Sequence, residues 1–544
     1  MKRLAVPFLA VAVLAPPTLS QILPPPPVPS GNPLTAAKAM LGKALFWDEQ
    51  LSSSRSVACG TCHSFARGGS DARSMNAIHP GFDAVVRTGD DIHGSPGVVR
   101  HDAQGRFVRD PLFGIRPQVT GRKAPSPINA AYAVELFWDG RASAVFRDPL
   151  SGQVVLPASG ALESQIAGPP VSEAEMGHLG RSWADIAADL APLTPLALAD
   201  RVPVALAAFV QGQTYASLFQ QVYGSPGVTP LRVIFAIASY ERTLISDQSR
   251  FDLSLVNQGT LTPQESRGLL KFRGLCAGCH SDVQPSVLST GPVLHEYRNV
   301  GVRPGLEDRG RELVTGDPLD RARFKVPGLR NVALRGPWFH NGSRATLAAV
   351  LDFYALGGGF TNDPLVINIP GQLSVQDRAD IVAFLGALTD PRVANELPPF
   401  DRPRLWSEGA NVPAVFGAGN AGSGGFVPSS VAVLPAFGGN AACTLAVDRV
   451  LGGSGQALLF DLLASGTPSL VLGQNVHLAM SPFLFAVAMP RPAQGVGPGN
   501  GFAQHRLAIP SGFAGTTLYG QWLTLDPQGP NGMAISDAFA LPLF

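Results

Sequence analysis

The sequence predicts two kinds of structure in one chain: a mainly α-helical part with long loops over residues 35–398, and an all-β sandwich over residues 431–544. Apolar residues recur at helical spacing in the first part, at Ala36–Phe46, Pro230–Ser246 and Thr262–Phe272. Two Cys-x-x-Cys-His pentapeptides lie among these segments. Beyond residue 406 the chain holds only eight charged side chains and no lysine, and its apolar runs are broken by Gly, Pro and Asn. Short broken apolar runs of this kind are typical of antiparallel β-sandwiches.

The N-terminal segment predicts export from the cytoplasm. Lys2 and Arg3 precede the apolar run Leu4–Ala15, and small residues near Ser20 favour cleavage before Gln21. An N-terminal membrane anchor is the alternative, although the run is short for a bilayer span. We therefore interpret residues 1–20 as a signal peptide and residues 21–34 as a proline-rich linker. The expected location is periplasmic or secreted.

The helical part divides into two predicted units, residues 35–215 and 216–398. The first unit contains the first pentapeptide and then a Gly-, Asp- and Pro-rich excursion over about residues 68–120. In the second unit, Ser374 and Asp377 form a capping-box pattern that opens a helix over Val375–Leu388. Residues 399–430 are predicted to link this unit to the β-sandwich.

The two pentapeptides are attachment sites for c-type haem, because two thiols bind the vinyl groups and the adjacent histidine binds iron. Their residues are Cys59, Cys62 and His63, and Cys276, Cys279 and His280. A disulfide or a zinc site is the alternative, but no second Cys pair lies near either motif. The remaining cysteine, Cys443, is predicted to be a small buried apolar residue.

The net charge of the chain argues against two classes of binding partner. The formal net charge is +1, so neither nucleic acid nor an anionic membrane surface is predicted to bind. No stretch after the N-terminal run is long enough for a membrane span.

Residues 37–392 resemble the bacterial di-haem cytochrome c peroxidases and their relative MauG, which oxidises a protein substrate. The motifs that carry this resemblance occur in the family's order: Leu41–Asp48, Ala124–Tyr132, Phe137–Ala142, Glu175–Gly177, Tyr240–Thr243, Phe324–Asn331 and Pro337–Gly342. The resemblance implies two haem-bearing, cytochrome c-like domains that face each other.

The resemblance implies that the haem on His63 reduces peroxide. Gln165 and Glu175 fall where the family keeps a glutamine and a glutamate on the distal side. Glu175 would move the proton, and Gln165 would orient the peroxide. A carboxyl group in a partly apolar haem pocket has a raised pKa, which suits this role. The alternative is that both are solvated loop residues.

Two aromatic residues are implied to serve the second haem, on His280. Trp138 matches a family tryptophan between the haems and would relay electrons. Tyr354 occupies the position from which the peroxidases supply a methionine as the sixth iron ligand. In MauG this position is also a tyrosine. A phenolate favours oxidised iron and lowers its potential, whereas a thioether raises it. Each residue has a structural alternative as a core aromatic, since Tyr354 belongs to an apolar helical stripe.

The expected cofactors are two covalently bound haem c groups. Whether the chain also binds one calcium ion is left undecided. Lys123 occupies the position of the family's calcium-binding asparagine, and an ammonium group is a poor neighbour for calcium. Family members that rest inactive block the first haem with a loop histidine, and His79, His93 and His101 are the candidates here. Their surroundings do not match the family's, so each is expected to be an ordinary loop residue. His340 is expected to support the second haem by a hydrogen bond.

The leading functional hypothesis is a peroxidase that reduces hydrogen peroxide to water at the first haem, with electrons passed through the second. Its donor would be a small cytochrome c or a cupredoxin, and a homodimer is left open. The alternative is a MauG-like oxidase that uses peroxide to oxidise a protein or a small organic donor. A pure electron carrier and a surface-attached scaffold are weaker hypotheses.

Overall fold

The computed structural model describes residues 22–280, 297–367 and 373–544. The predicted signal peptide therefore lies outside the described residues. The linker that follows it is irregular and is held by several contacts with the helical part. At its start, the backbone N–H groups of Ile22 and Leu23 donate to the Asp247 carboxylate at 2.7 and 3.2 Å.

The helices are short and are separated by long loops. In chain order they are α1 Ala36–Phe46, α2 Cys59–Cys62, α3 Ala161–Ile166, α4 Trp183–Leu190, α5 Val204–Val210, α6 Tyr215–Tyr223, α7 Pro230–Glu241, α8 Arg250–Leu255, α9 Pro263–Leu275, α10 Glu312–Thr315, α11 Leu347–Ala355, α12 Val375–Ala387 and α13 Pro391–Ala394. Short strand pairs join the loops: β1 Pro96–Val99 with β2 Pro117–Val119, β3 Phe146–Arg147 with β4 Val154–Leu156, and β5 Tyr297–Arg298 with β6 Phe324–Lys325.

The prediction of a mainly α fold is correct only in part, because helices make up 28% of the structure. The helix predicted from its apolar pattern at Ala36–Phe46 and the helix predicted from a capping box at Val375–Leu388 both agree closely with the observed bounds. Thr35 caps α1, and Ser374 and Asp377 form the predicted capping box of α12. Between helices, Gly and Pro favour loops whose backbone groups are satisfied by turns and side chains.

One apolar core surrounds the packed pair α1 and α7. Gly42 permits this contact, since a Cβ there would lie 1.9 Å from the Ala236 carbonyl oxygen. The same buried cluster extends from Leu41 to Leu244 and includes Phe400. The division between units at residue 215 remains a prediction, and this packing favours a boundary nearer residue 250.

A second core surrounds the packed pair α9 and α12, and it repeats the geometry of the first. A Cβ on Gly268 would lie 1.9 Å from the Asp380 carbonyl oxygen, so glycine again allows two helices to approach closely. The side chains of Phe272 and Phe384 fill the space beside this contact, with ring centroids 5.3 Å apart.

The two cores meet through reciprocal contacts. The backbone N–H of Lys123 donates to the His340 carbonyl at 2.8 Å, and that of Lys325 donates to the Trp138 carbonyl at 2.7 Å. The rings of Trp138 and His340 pack edge to face, with centroids 6.3 Å apart. Arg122 also joins the two parts through ion pairs at 2.6 Å to Asp139 and to Asp308.

The C-terminal region is a β-sandwich. Its strands are β7 Ala414–Phe416, β8 Ser429–Val431, β9 Cys443–Val450, β10 Gln456–Asp461, β11 Ala464–Val471, β12 Gln474–Leu478, β13 Phe485–Ala488, β14 Gly501–Leu507, β15 Thr517–Leu525 and β16 Met533–Pro542. One antiparallel sheet has the order β13-β10-β15-β16-β7 and the other has the order β14-β9-β8, while β11 pairs with β12. Alternate residues of β9 share a core with Phe460 and Trp522 from the larger sheet. Cys443 is fully buried in this core, as predicted.

The sandwich packs on the excursion that follows the first pentapeptide. Val99, Phe107 and Ile115 form an apolar cluster with residues of β8, β9 and β14. The backbone of Phe107 exchanges two hydrogen bonds with the Gln504 amide, at 2.7 and 3.1 Å. Arg109 forms an ion pair with Asp448 at 2.9 Å. The C-terminal region is thereby fixed to the excursion that follows the first pentapeptide.

Candidate haem sites and the residues between them

The first pentapeptide begins as a single helical turn. The Thr61 hydroxyl accepts the Ala58 N–H at 2.8 Å, and the His63 N–H donates to the Cys59 carbonyl at 3.1 Å. His63 Nδ1 lies 3.2 Å from the Gly69 carbonyl oxygen. Because a carbonyl only accepts, Nδ1 must carry the proton, which leaves the Nε2 lone pair as a ligand. Burial also lowers the pKa of His63 and so favours the neutral, metal-binding form.

The second pentapeptide begins where α9 ends and has the same arrangement. The His280 N–H donates to the Cys276 carbonyl at 3.0 Å. His280 Nδ1 lies 3.2 Å from the Pro327 carbonyl oxygen, so its Nε2 is likewise the ligand nitrogen. Both sets of residues fit a covalently attached haem whose iron takes one histidine from the chain.

Glu175 lies in a tight turn beside the first pentapeptide. The N–H groups of Glu175, Met176 and Gly177 all donate to the Ser172 carbonyl, at 3.1, 3.0 and 2.8 Å. Gly97 in β1 packs on this turn, where a Cβ would lie 2.1 Å from the Ala174 carbonyl oxygen.

The environment of Glu175 favours its neutral form. Burial raises the pKa of Glu175, while a hydrogen bond from Ser172 and the charge of Arg141 act in the opposite direction. Burial also raises the pKa of the Cys62 thiol to about 12, and the nearby charge of Glu175 contributes to that rise. The predicted acid–base group is therefore close to the predicted haem thiols.

Gln165 lies on α3 and is half-buried. A buried ion pair fixes this helix, because Glu163 binds the Arg242 guanidinium at 2.8 and 2.9 Å and also accepts from the Asn32 amide at 2.8 Å. Within the described residues, the Gln165 amide makes no hydrogen bond to Glu175 or to any other group. Its role as a peroxide-orienting group stays a prediction.

Trp138 lies between the two cores. Its indole N–H donates to the Lys123 carbonyl at 2.7 Å, and its ring packs against that of His340. Phe137, just before it, has a φ of 65°, a conformation that is costly for a bulky residue and is found mainly where the surroundings enforce it. The indole is thus held at the junction by contacts from both sides.

Tyr354 lies on α11 and packs against the apolar cluster that includes Cys276. Burial raises the pKa of its hydroxyl, and Cys276 and Cys279 are close enough to contribute to the rise. The Phe339 ring lies 6.1 Å from the Tyr354 ring, centroid to centroid. The tyrosine is therefore near the second pair of haem thiols, and its role as an iron ligand stays a prediction.

Lys123 does not fit a calcium ligand. Its buried ammonium group donates to the Ser70 hydroxyl at 2.9 Å and to the Arg335 carbonyl at 2.7 Å, so it connects the loop after His63 to the second core. Burial lowers the pKa of Lys123 to about 7. Among the described residues, no group of three or more His, Cys, Asp or Glu side chains could hold a metal ion.

The loop histidines have local partners, in keeping with the prediction that they are ordinary loop residues. Both ring nitrogens of His101 are engaged, with Ser53 Oγ at 2.9 Å and the Val99 carbonyl at 2.6 Å. His93 Nδ1 lies 3.2 Å from the Ser74 carbonyl. His340 stacks on Phe324 with ring centroids 3.6 Å apart, and its expected hydrogen bond to a haem site stays a prediction.

Two arginines near the first pentapeptide were not assigned a role from the sequence. Arg73 lies 3.6 Å from Cys62 Sγ and is held by Asp71 at 2.7 Å. Arg141 lies in the Trp-Asp-Gly-Arg motif, and its charge opposes the rise in the pKa of Glu175. The motif itself was a signal for Arg141, whereas nothing in the spacing of Arg73 from Cys62 indicated their contact.

Within the described ranges, no helix combines the length and the apolar character that crossing a bilayer requires.

Comparisons with known proteins agree with this geometry. Residues 36–260 match the family model described as di-haem cytochrome c peroxidase. The chain is 30% identical over 377 residues to the methylamine utilization protein MauG of Methylorubrum extorquens, an alignment that covers 68% of this chain and 84% of that protein. It is 29% identical over 365 residues to the cytochrome c peroxidase Ccp of Escherichia coli, which covers 66% of this chain and 60% of that protein.

A solved structure has the same fold over most of the chain. It is a MauG-like protein associated with microbial copper homeostasis, with 25% identity, a TM-score of 0.50, and coverage of 71% of this chain and 98% of that one. Together with the two paired Cys-x-x-Cys-His sites, these similarities show that the chain belongs to the di-haem cytochrome c peroxidase and MauG family.

Proposed function

We propose that this chain is an exported di-haem peroxidase, in which hydrogen peroxide takes up two electrons and two protons and leaves as two molecules of water. The reaction occurs at the haem on His63, and electrons from a small cytochrome c or a cupredoxin enter through the haem on His280. When bound, the first haem supplies the iron centre that binds peroxide and transfers electrons to it. The single observation that carries the proposal is the half-buried carboxyl group of Glu175, which lies near Cys59 and Cys62 and whose pKa is raised.

Glu175 serves as the proton-transfer group. As a carboxylate it accepts a proton from the near oxygen of peroxide, and as a carboxylic acid it returns that proton to the far oxygen, which then leaves as water. Burial supports this cycle because it raises the pKa of Glu175 and so makes the carboxylate a stronger proton acceptor. Gln165 on α3 orients the peroxide through its amide.

Trp138 serves as the electron relay between the two centres. Its position at the junction of the cores and its contact with His340 support this role. An indole can be oxidised at high potential, and it shortens the distance that each transfer step must cover.

The test is stopped-flow spectroscopy of the purified holoprotein mixed with hydrogen peroxide. We expect the Soret band of the first haem to change rapidly in the oxidised or the half-reduced protein, followed by oxidation of added reduced cytochrome c. A Soret band that is inert to peroxide in both states would reject the proposal.

A second candidate function is a MauG-like oxidation of a protein or a small organic donor. The proximity of Tyr354 to Cys276 and Cys279 favours it, because a tyrosinate ligand stabilises oxidised iron. Reduced cytochrome c discriminates the two functions: slow oxidation by peroxide, with an intact peroxide reaction at the first haem, favours the oxidase. If Tyr354→Phe leaves the spectrum of the second haem unchanged, the oxidase hypothesis loses its basis.

A further inference from the structure

A cleft of about 560 Å³ lies between the first core and the C-terminal sandwich. One wall is formed by the segment 53–57 and by strand β1, and the other is formed by the C-terminal region around Phe437 and Asn440. Ligand pockets commonly have volumes of roughly 300–1,000 Å³. The cleft is therefore large enough for a small organic molecule.

The charges that line the cleft all have one sign. Arg55, Arg73 and Arg506 line it, and no aspartate or glutamate does. Asp71 neutralises Arg73 at 2.7 Å. Across the described ranges, neither Arg55 nor Arg506 has a carboxylate partner. Two guanidinium groups, one from each wall, are thus available to an anion.

The cleft also offers flat apolar surface. The Arg55 guanidinium lies over the Phe437 ring, 5.4 Å from its centroid, so cation and aromatic ring meet across the boundary between the two regions. Trp406, Pro413 and Leu434 add apolar surface nearby. Arg55 has a φ of 56°, a conformation that is uncommon for residues other than glycine and concentrates at functional sites.

The cleft is held open by the contacts that dock the sandwich. Besides the Arg109–Asp448 ion pair, the Thr444 hydroxyl donates to the Gly105 carbonyl at 2.7 Å. Its inner wall borders the first haem site, because Arg73 contacts Cys62 Sγ and Gly97 packs on the turn that carries Glu175.

We propose that this cleft is a binding site for an organic anion with a flat apolar body, such as an aromatic carboxylate. The carboxylate lies between Arg55 and Arg506, and the ring packs against Phe437. A guanidinium group binds a carboxylate with two parallel, charge-assisted hydrogen bonds, which gives both affinity and orientation. The site combines residues of the C-terminal region and the first core, and it does not depend on the proposed peroxide chemistry.

Isothermal titration calorimetry of the intact holoprotein with 2-naphthoate tests the proposal. We expect saturable binding with one site per chain, and at least tenfold weaker binding of the uncharged analogue 2-naphthol. Each of the variants Arg55→Gln and Arg506→Gln should weaken 2-naphthoate binding about tenfold, the effect of losing one charge-assisted contact. The matched control is Arg491→Gln, an exposed arginine of the same region outside the cleft, which should leave binding unchanged.

Three results would overturn the proposal. The first is the absence of binding in the holoprotein, as expected if the haem's own carboxylates occupy these arginines. The second is equal binding of 2-naphthol and 2-naphthoate. The third is an equal loss of affinity in Arg491→Gln and Arg506→Gln. Because Arg506 is exposed, its variant is expected to fold, and an unchanged haem spectrum verifies this.

Discussion

Lys123 and Lys325 hold equivalent places in the two halves of the helical part, and each donates its backbone N–H to a carbonyl of the opposite half. The carbonyls belong to His340 and Trp138, whose rings meet between the cores. Equivalent positions recur the same number of residues apart throughout this segment: Asn129 and Asn331, Phe137 and Phe339, Gly140 and Gly342, all with positive φ. The same local backbone conformation therefore occurs once in each half.

The two halves differ in the side chains that this backbone presents. At the junction, the first half contributes an indole and the second half an imidazole. Beside the first pair of thiols lies the carboxyl group of Glu175, and near the second pair lies the phenol of Tyr354. The comparison teaches that one backbone arrangement can present different side chains in the two halves, and that the proposed proton transfer and the proposed control of redox potential each depend on a single side chain.

The largest expected effect concerns the carboxyl group that belongs to the first half. Glu175→Gln should lower kcat/KM for peroxide by roughly a hundred- to ten-thousand-fold, because the amide cannot accept and return a proton. Steady-state kinetics of the holoprotein measure this, and Glu173→Gln, a neighbouring carboxylate, is the control. Similar losses in both variants would contradict the assignment.

The same group predicts the pH dependence of the wild-type enzyme. The first proton transfer needs the carboxylate, and burial raises the pKa of Glu175 above the ordinary value of 4.5. The value of kcat/KM should therefore increase with pH through this raised pKa, so that activity is lost at a higher pH than an exposed glutamate would give. A profile whose acidic limb lies at or below pH 4.5 would argue against Glu175 as the base.

The next effect concerns the helix that carries Gln165. Glu163→Gln should lower the free energy of unfolding by about 3–5 kcal/mol, because it leaves the Arg242 guanidinium buried without its counter-charge. Asp352→Asn in the second half breaks an exposed ion pair with Arg378 and should cost only about 0–1 kcal/mol. Denaturant unfolding of the two holoprotein variants, followed by circular dichroism, compares them. Equal costs would show that burial of the Glu163 pair does not determine stability.

Tyr354→Met tests what distinguishes the second half. A thioether in place of the phenolate should raise the potential of the second haem by roughly a few hundred mV, within the about 0.8 V that axial ligands span. Spectroelectrochemical titration resolves both centres, and the first should not change. A potential that is the same in Tyr354→Met, Tyr354→Phe and the wild type would show that the tyrosine is only a core residue.

The smallest effect is expected at the junction itself. Trp138→Phe should slow electron transfer from the second centre to the first about tenfold, a barrier change of about 1.4 kcal/mol. The reaction of the first centre with peroxide should stay intact, which rapid mixing with and without reduced cytochrome c can resolve. Trp183→Phe is the control, since its indole also donates to a backbone carbonyl, at 2.9 Å, but lies inside the first core. A similar slowing in both variants would point to a general loss of packing.

The sequence predicted the parts of this molecule whose signals are local. Helix α1 and the capping box of α12 follow from periodicity and short-range hydrogen bonds, and their bounds agree with the structure. Haem attachment follows from five adjacent residues, since the chemistry needs two thiols and an imidazole within one turn. The change to a β-sandwich follows from composition, because a chain with few charges and many turn residues favours short strands.

Other features depend on residues that are far apart in sequence, so no local sequence pattern predicted them. The close approach of α1 and α7 needs Gly42 against Ala236, and the docking of the sandwich needs Arg109 against Asp448. The hydrogen bonds from the buried Lys123 ammonium to Ser70 and to Arg335 also join positions that are far apart in the chain.

The amino-acid sequence alone determined that two porphyrins attach covalently to this chain, because the reacting thiols and the iron-binding imidazole are neighbours in the sequence. Tertiary structure decided which groups lie near each pentapeptide, that the Trp138 indole packs on His340 between the two cores, and that a cationic cleft opens near the first pentapeptide. Those properties arise from burial and from charges brought together by folding, and both depend on distance in space, not on distance along the chain.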